Sequence, residues 1–437
     1  MNRTASRHTS FRGVGSMLGV PGLSTSVGLV ILVTACATGA PAPGGSPAGS
    51  TATISPSEGP AAYYSDAGPA RAATDRFVIE LRAELDRWTK RLGRPALVED
   101  ARFDQVARDM ARITAERGVP ASSVVTSLLS HYGVIEPEPN LIMIKGALGT
   151  ETSAIADLGK QLDQIGAANG WRRVGIGVWR SGDTFCVVLS LHEHNLELAP
   201  LPRVLPSGGH AKISGRVLGV YRSPEVIVTS PASGVHRLPA QVRGSSFTAR
   251  LDCNLADGVY QVEVSAEDQR GPTVLANFPI YCGVVPTVTL QIAESPAPSI
   301  VDPDDIERQI LDLMDRDRQA NGLPTLVRDA RLARVARRYS REMAAVGEVA
   351  HFSRQSGNAV DRVRAGGIAP MPTLVAENVG RDYSAVDVER GFMASPGHRE
   401  NILSRAVTHV GVGVALGQSE GNNTPIFVTQ ILVGWGQ

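Results

Sequence analysis

The run Gly391-Phe392-Met393-Ala394-Ser395-Pro396-Gly397-His398-Arg399-Glu400-Asn401-Ile402-Leu403 contains a helix start and one apolar helix face. Ser395 can accept from the orphan N–H groups of a first turn, and Pro396 at the first helical position loses nothing by lacking its own N–H. His398 then falls in that first turn. Ile402 and Leu403 follow four and five residues on, close to the same face, so the helix should seat on a core with the imidazole at its upper edge. A lone histidine so placed is ordinarily half-buried and bonded to a backbone carbonyl. Upstream, however, His351-Phe352 and Ala376-Glu377-Asn378 offer a second imidazole, a carboxylate and an amide, and a shared site becomes the sharper expectation.

These three motifs, in this order over the last third of the chain, resemble the CAP superfamily, which includes cysteine-rich secretory, antigen 5 and pathogenesis-related proteins. The resemblance implies an α/β domain of α-β-α sandwich type over residues 302–437. It also implies a shallow cleft where two His and two Glu converge and with which divalent metal has been associated. Carried over residue by residue, His351, Glu377 and His398 match as cleft residues and candidate metal ligands, with Ser395 and Asn378 beside them. The second carboxylate does not match. Plant and animal members close a Trp-x-x-Glu step where this chain reads Phe392-Met393-Ala394-Ser395, a departure that many bacterial members share.

Two imidazoles and one carboxylate are the protein ligands of an open zinc site, so zinc or another divalent metal is the candidate cofactor. No other feature supports that chemistry: there is no His-Glu-x-x-His helix, no spare carboxylate to act as base on a bound water, and no Gly-x-Ser-x-Gly elbow. A binding cleft is therefore favoured over an enzyme. The alternatives are a metal-dependent hydrolase of peptide or cell-wall substrates, and an architectural envelope protein.

The N-terminus bears on location. Arg3, Arg7 and Arg12 precede an apolar core at Val27–Val33, and Val33-Thr34-Ala35-Cys36 resembles a bacterial lipobox, which implies a lipid on Cys36. An ordinary signal peptide or an N-terminal membrane helix are the other readings. The apolar run is short for a span, and the small residues before Cys36 fit cleavage. Residues 37–73, rich in Ala, Gly, Pro, Ser and Thr, read as a disordered tether. Together these place the protein in a bacterial cell envelope, anchored to the membrane by lipid, at the outer membrane or on the periplasmic or extracellular face. Lys plus Arg and Asp plus Glu number 43 each, so no nucleic-acid partner is expected; a lipid or cell-wall ligand is.

An internal repeat organises the rest of the 437 residues. Asp86–Arg108 lies on Asp315–Arg337 without a gap, matching Gly93 with Gly322, Pro95 with Pro324, and Asp100-Ala101-Arg102 with Asp329-Ala330-Arg331. Further on, Val174-Gly175-Ile176-Gly177-Val178 echoes Val410-Gly411-Val412-Gly413-Val414. Residues 74–197 thus read as a degenerate CAP-like domain that has lost the site. His131-Tyr132 is its nearest echo of His351-Phe352, and His192-Glu193-His194 reads as solvated histidines at a domain edge rather than a metal site. The alternating glycines read as close packing in a strand, not a nucleotide loop.

Between the copies, residues 205–292 alternate apolar and polar residues in short runs separated by turns, the pattern of an immunoglobulin-like β-sandwich. Cys253 and Cys282 fall inside it, and an envelope location allows them to pair; two reduced buried thiols are the alternative. Cys186 is left as a buried free thiol.

Overall fold

The computed structural model describes residues 30–34, 51–65, 68, 73–118, 120, 122–137, 139–165, 170–231, 234–269, 271–287, 289–293, 302–419 and 424–435. Cys36 lies outside them.

Over residues 302–435 a four-stranded sheet, in the order Val327–Arg328, His409–Leu416, Ile426–Gly434, Leu374–Asp382, is covered by helices on both faces. The face carrying Val410, Val412 and Val414 packs with Ile306, Ile310 and Met314 of the helix Pro303–Ala320, with Val388 and Phe392 of Ala385–Ala394, and with Ile402. The opposite face carries Gly411 and Gly413, and here the helix Ala330–Val346 comes down onto the strand. A Cβ on Gly411 would lie 2.3 Å from the backbone of Leu332 and Ala333, and one on Gly413 2.1 Å from Arg337 N. Any side chain there would push helix and sheet apart.

The sheet of residues 98–193 has the same plan. Its strands run Val98–Glu99, Trp171–Ser181, Thr184–Glu193, Asn140–Ala147, with the same parallel and antiparallel relations. Gly175 and Gly177 sit on the backbone of Phe103 and Ala107, the repeat counterparts of Leu332 and Ala336. Asp100 and Asp329 each cap the following helix by accepting from the N–H of Arg102 and Arg331, and each pairs with that arginine's guanidinium. The repeated Asp-Ala-Arg is therefore a helix cap locked by its own ion pair.

Register shows what the first unit lacks. Glu377 and Gly411 both face Ile431 on the shared strand, and in the first unit Leu141 and Gly175 both face Ser190. Leu141 and Ile142 thus occupy the positions of Glu377 and Asn378.

The segment expected to be a disordered tether is ordered in part. Thr51–Ile54 pairs with Leu290–Ala293, and Tyr63–Tyr64 with Leu201–Pro202. Tyr64 is fully buried, its hydroxyl 2.8 Å from Ser130 Oγ and its ring 4.6 Å from that of Phe278. This buried aromatic, together with the two strand pairings, contributes to offsetting the ordering entropy of the small residues around it. Val30–Thr34 pairs in parallel with Asn140–Ala147, at the open edge of the first sheet.

Between the two α/β units, two sheets share one core. One runs Val204–Leu205, Gly271–Cys282, Gly258–Asp268, Arg222–Thr229, Val235–Leu238; the other runs Ala240–Arg243, Ser246–Asp252, His210–Val217, Leu196–Leu198. Leu196–Leu198 pairs with His210–Val217, so the chain enters these sheets before residue 205. Cys253 and Cys282 are disulfide-bonded with Cα atoms 5.7 Å apart. Tyr260 turns its hydroxyl back to donate to Ala256 O at 3.0 Å while accepting from the N–H groups of Leu255 and Ala256. Cys186 is a buried free thiol, and burial pushes its pKa up to about 11. No helix among the described residues is long and apolar enough to cross a membrane.

Candidate functional site

His351 follows the helix Ala330–Val346, Glu377 lies on Leu374–Asp382, and His398 is in the first turn of Pro396–Leu403. The fold brings all three together. His351 Nδ1 is 3.0 Å from Glu377 Oε1, and the His351 and His398 ring centroids are 6.4 Å apart. Asn378 is fully buried behind them. Its Nδ2 donates to His398 O at 3.2 Å and to Gln430 Oε1 at 2.9 Å, while its Oδ1 accepts from Asn401 at 2.9 Å. Gln430 in turn donates to Glu389 at 2.7 Å, and burial raises the Glu389 pKa to about 8. The amide layer thus fixes the backbone that carries His398. Asn401, Gln430 and Glu389 escape a motif reading because their partners are distant in sequence.

Glu377 is not free to act. Arg362, from the short helix Ala359–Ala365, donates to Glu377 Oε2, and its guanidinium lies 3.4 Å over the Tyr339 ring. Both side chains of this pair are more than nine-tenths buried. With His351 on one oxygen and Arg362 on the other, the carboxylate is neutralised by the protein's own cation. Among the described residues no group of three or more His, Cys, Asp or Glu is placed to hold a metal ion. The donor set carried over as His351, Glu377 and His398 does not fit a metal as it stands, because a dication would have to displace or oppose the Arg362 guanidinium. No sequence signal marked Arg362.

His398 keeps some contact with solvent, yet the protein mass around it disfavours the imidazolium and pushes its pKa down to about 3, with a smaller push from His351. Phe392 flanks it at 5.1 Å between ring centroids. At low pKa the ring is a neutral acceptor or donor, not a cation.

Ser395 departs from its expected role. It stands at the N-cap with Pro396 after it, but its side chain makes no capping bond to its own helix. Instead its hydroxyl donates at 2.5 Å to Glu263 Oε2, a residue of the strand Gly258–Asp268, and Glu263 also accepts from the Gly397 N–H. A carboxylate from the neighbouring β unit thus caps the His398 helix, where an anion complements the helix dipole. Burial raises the Glu263 pKa to about 7 even so, since desolvation outweighs both hydrogen bonds. Glu263 sits in an alternating strand where a carboxylate reads as solvent-facing, and only the docking of the CAP helix buries it. Arg237 of the β unit and Glu400 make a second cross-boundary ion pair.

The resulting groove has a volume of about 630 Å³. His351, Glu377 and His398 line it from one side and Glu225, Glu263 and Glu267 from the other.

Among the described residues of the first unit nothing equivalent forms. His131 Nε2 lies 2.9 Å from Glu58 O. His192 is buried, stacked on Phe103 at 3.8 Å between ring centroids and 2.7 Å from Ser190 Oγ, so it is a core group rather than the solvated histidine expected; His194 lies 3.2 Å from Arg173 Nη2.

An α-β-α sandwich with this His/Glu/His constellation defines a CAP-type domain. Residues 311–432 match the model of the Cysteine-rich secretory protein family, CAP, so this part of the chain is a CAP domain. It is 33% identical over 108 residues to the uncharacterized protein YkwD of Bacillus subtilis (strain 168), covering 24% of this chain and 41% of that one. It is 35% identical over 112 residues to the uncharacterized membrane protein YlbC of the same strain, covering 25% and 31%. The chain thus spans less than half the length of either relative. Among solved structures, it is similar to an extracellular protein containing a SCP domain from Bacillus anthracis str. Ames, with 17% identity, TM-score 0.27 and coverage of 55% of this chain and 86% of that one. It is also similar to a cysteine-rich secretory protein from Staphylococcus aureus subsp. aureus Mu50, with 12% identity, TM-score 0.25 and coverage of 68% and 95%.

Proposed function

We propose that this is an extracytoplasmic, lipid-anchored binding protein whose ligand site is the groove between the CAP domain and the β unit. The observation that carries this reading is the state of Glu377. A carboxylate engaged by Arg362 and His351 is neither a metal ligand nor a base, so the groove is built to hold rather than to cleave. The residues in the position of a catalytic centre are spent on fixing its walls.

The first α/β unit, with the same strand order and no polar pair at Leu141 and Ile142, is a degenerate CAP-like domain retained for architecture and docking. The disulfide-bonded β unit, with the Tyr260 corner, is an immunoglobulin-like sandwich. Anchoring through Cys36 rests on the lipobox, and processing there would remove Val30–Thr34 and open the edge at Asn140–Ala147.

The carboxylates of Glu225, Glu267 and Glu400 outnumber Arg237 along the groove, which favours a ligand with a cationic group, such as the free amine of a cell-wall peptide, over an anionic lipid. The second reading is hydrolysis, in which Glu263, a carboxyl that lines the groove with His398 and whose proton affinity burial raises, would be an acid supplied from outside the CAP domain.

Titration calorimetry of the full chain against a synthetic cell-wall stem peptide and a long-chain fatty acid tests the reading. Binding of the peptide that is abolished by Val360→Trp, at an exposed groove position, is expected. Peptide cleavage lost in Glu263→Gln would replace binding with catalysis. No binding to either probe would overturn the groove as a ligand site.

A further inference from the structure

The repeat sets two helices of equal length in the same surroundings. Ala101–Arg117 and Ala330–Val346 have 17 residues each, start after the matched caps Asp100 and Asp329, and rest on the matched glycines of their sheets. Their outer faces differ. In the first unit, residues 55–58 run along the helix toward its N-terminus: Ser55 O accepts from Arg112 Nη2 at 2.8 Å, the Ser57 N–H donates to Asp109 Oδ2 at 3.0 Å, and Glu58 accepts from Gln105 Nε2. Asp109 is fully buried under this segment, and Gln105 and Arg112 are half-buried. From Gln105 to Arg112 the helix rises about 10 Å, the length of three residues of extended chain.

The CAP helix carries arginine at all three matching positions, Arg334, Arg338 and Arg341. All three are exposed, and among the described residues none of their side chains has an ion-pair or hydrogen-bond partner. The acids nearby are engaged elsewhere: Asp304 and Glu307 pair with Arg337, Asp329 pairs with Arg331, and Glu342 accepts from the Ser353 hydroxyl. Spaced four and three residues apart, the guanidinium groups form a positive stripe on one helix face. Like charges at that spacing repel one another, so an anionic partner is favoured there.

We propose that this stripe is a docking track for an extended acidic peptide segment of another protein, laid along the CAP helix as residues 55–58 lie along its counterpart. The first unit supplies the form of the occupant, a short run of peptide across the three matched positions, and the charge of the stripe supplies its composition. Side chains on one face of an extended peptide recur at roughly 7 Å, against helix steps of about 6 and 4.5 Å between the arginines, a difference that long side chains absorb. Carboxylates at alternate positions can therefore each meet a guanidinium, in the bidentate geometry that arginine offers. The carboxylates of the groove repel such a peptide, so this proposal and the groove reading fail separately.

The test is fluorescence anisotropy of the full chain with labelled Ser-Asp-Ser-Asp-Ser-Asp-Ser and with its Asn counterpart, at low ionic strength, where exposed pairs are least screened. Binding of the acidic peptide alone is expected, weakened at least about tenfold by Arg338→Glu, which sets a like charge in the middle of the track. Arg243→Glu, the same charge change at an exposed position of the strand Ala240–Arg243, should leave the affinity unchanged. Equal loss in both variants would reduce the effect to net charge and overturn the proposal, as would equal binding of the Asn peptide or no binding of either. Sedimentation with phosphatidylglycerol vesicles is the remaining arm: vesicle binding that is lost in Arg338→Glu, without peptide binding, would assign the stripe to a membrane surface and overturn the proposal.

Discussion

The Ser395 hydroxyl donates to Glu263 Oε2 at 2.5 Å across the boundary between the CAP domain and the β-sheets beside it. This bond makes a carboxylate of one unit part of the site of another and ties the position of His398 to the docking of the two.

Docking is therefore pH-dependent through Glu263. Its pKa in the folded chain, about 7 against an ordinary 4.5, is raised, so the docked state prefers the protonated form. The contribution is fully present below about pH 4.5 and is lost as pH rises toward 7, by roughly 3 kcal/mol in all. Glu263→Gln is expected to flatten this slope, read as denaturation midpoints of the full chain at pH 5 and pH 8. An unchanged slope would remove Glu263 as its origin.

Histidine 398 runs the other way. Its depressed pKa means that the folded state prefers the neutral ring, so this stability is present above about pH 6.5 and is lost as pH falls toward 3. The C2 proton resonance of His398 should not titrate between pH 5 and 8. A midpoint near 6.5 would show that the ring is not enclosed by the fold as described.

Arg362→Ala should destabilise the protein by about 3–5 kcal/mol, because it strands Glu377 as a buried charge. The double variant Arg362→Met with Glu377→Gln should recover much of that loss in urea denaturation. Equal destabilisation by both would mean that the ion pair is not the reason.

Zinc titrated into the full chain is expected to show no tight site, since Arg362 already neutralises Glu377. Tight, stoichiometric binding abolished by His398→Ala would contradict this.

Gly413→Ala and Gly177→Ala should each cost several kcal/mol, on the order of a large core defect, because either Cβ would meet helix backbone at 2.1 Å. Thermal melts would check it. Tolerance at Gly177 alone would show that the first unit is packed more loosely than the CAP domain.

Much of the fold was legible because its determinants are local. The repeated Asp-Ala-Arg and the Pro396 helix start act within one or two turns of chain, the Gly-x-Gly strands carry their demand for close packing in their own composition, and the convergence of His351, Glu377 and His398 was readable as a family pattern. The partial order of residues 51–65 was hidden by a composition that one tyrosine, Tyr64, overrides through contacts more than sixty residues away.

The sequence by itself determined the two α/β units, the β unit between them and the polar residues of the cleft. Only the tertiary structure decided what those residues can do. Burial turns Glu263 from a surface carboxylate into a shared cap, and Arg362 turns Glu377 from a ligand into a neutralised wall. Both outcomes follow from desolvation and pairing between groups brought together only by folding, and charge and proton affinity depend on those surroundings rather than on the residue alone.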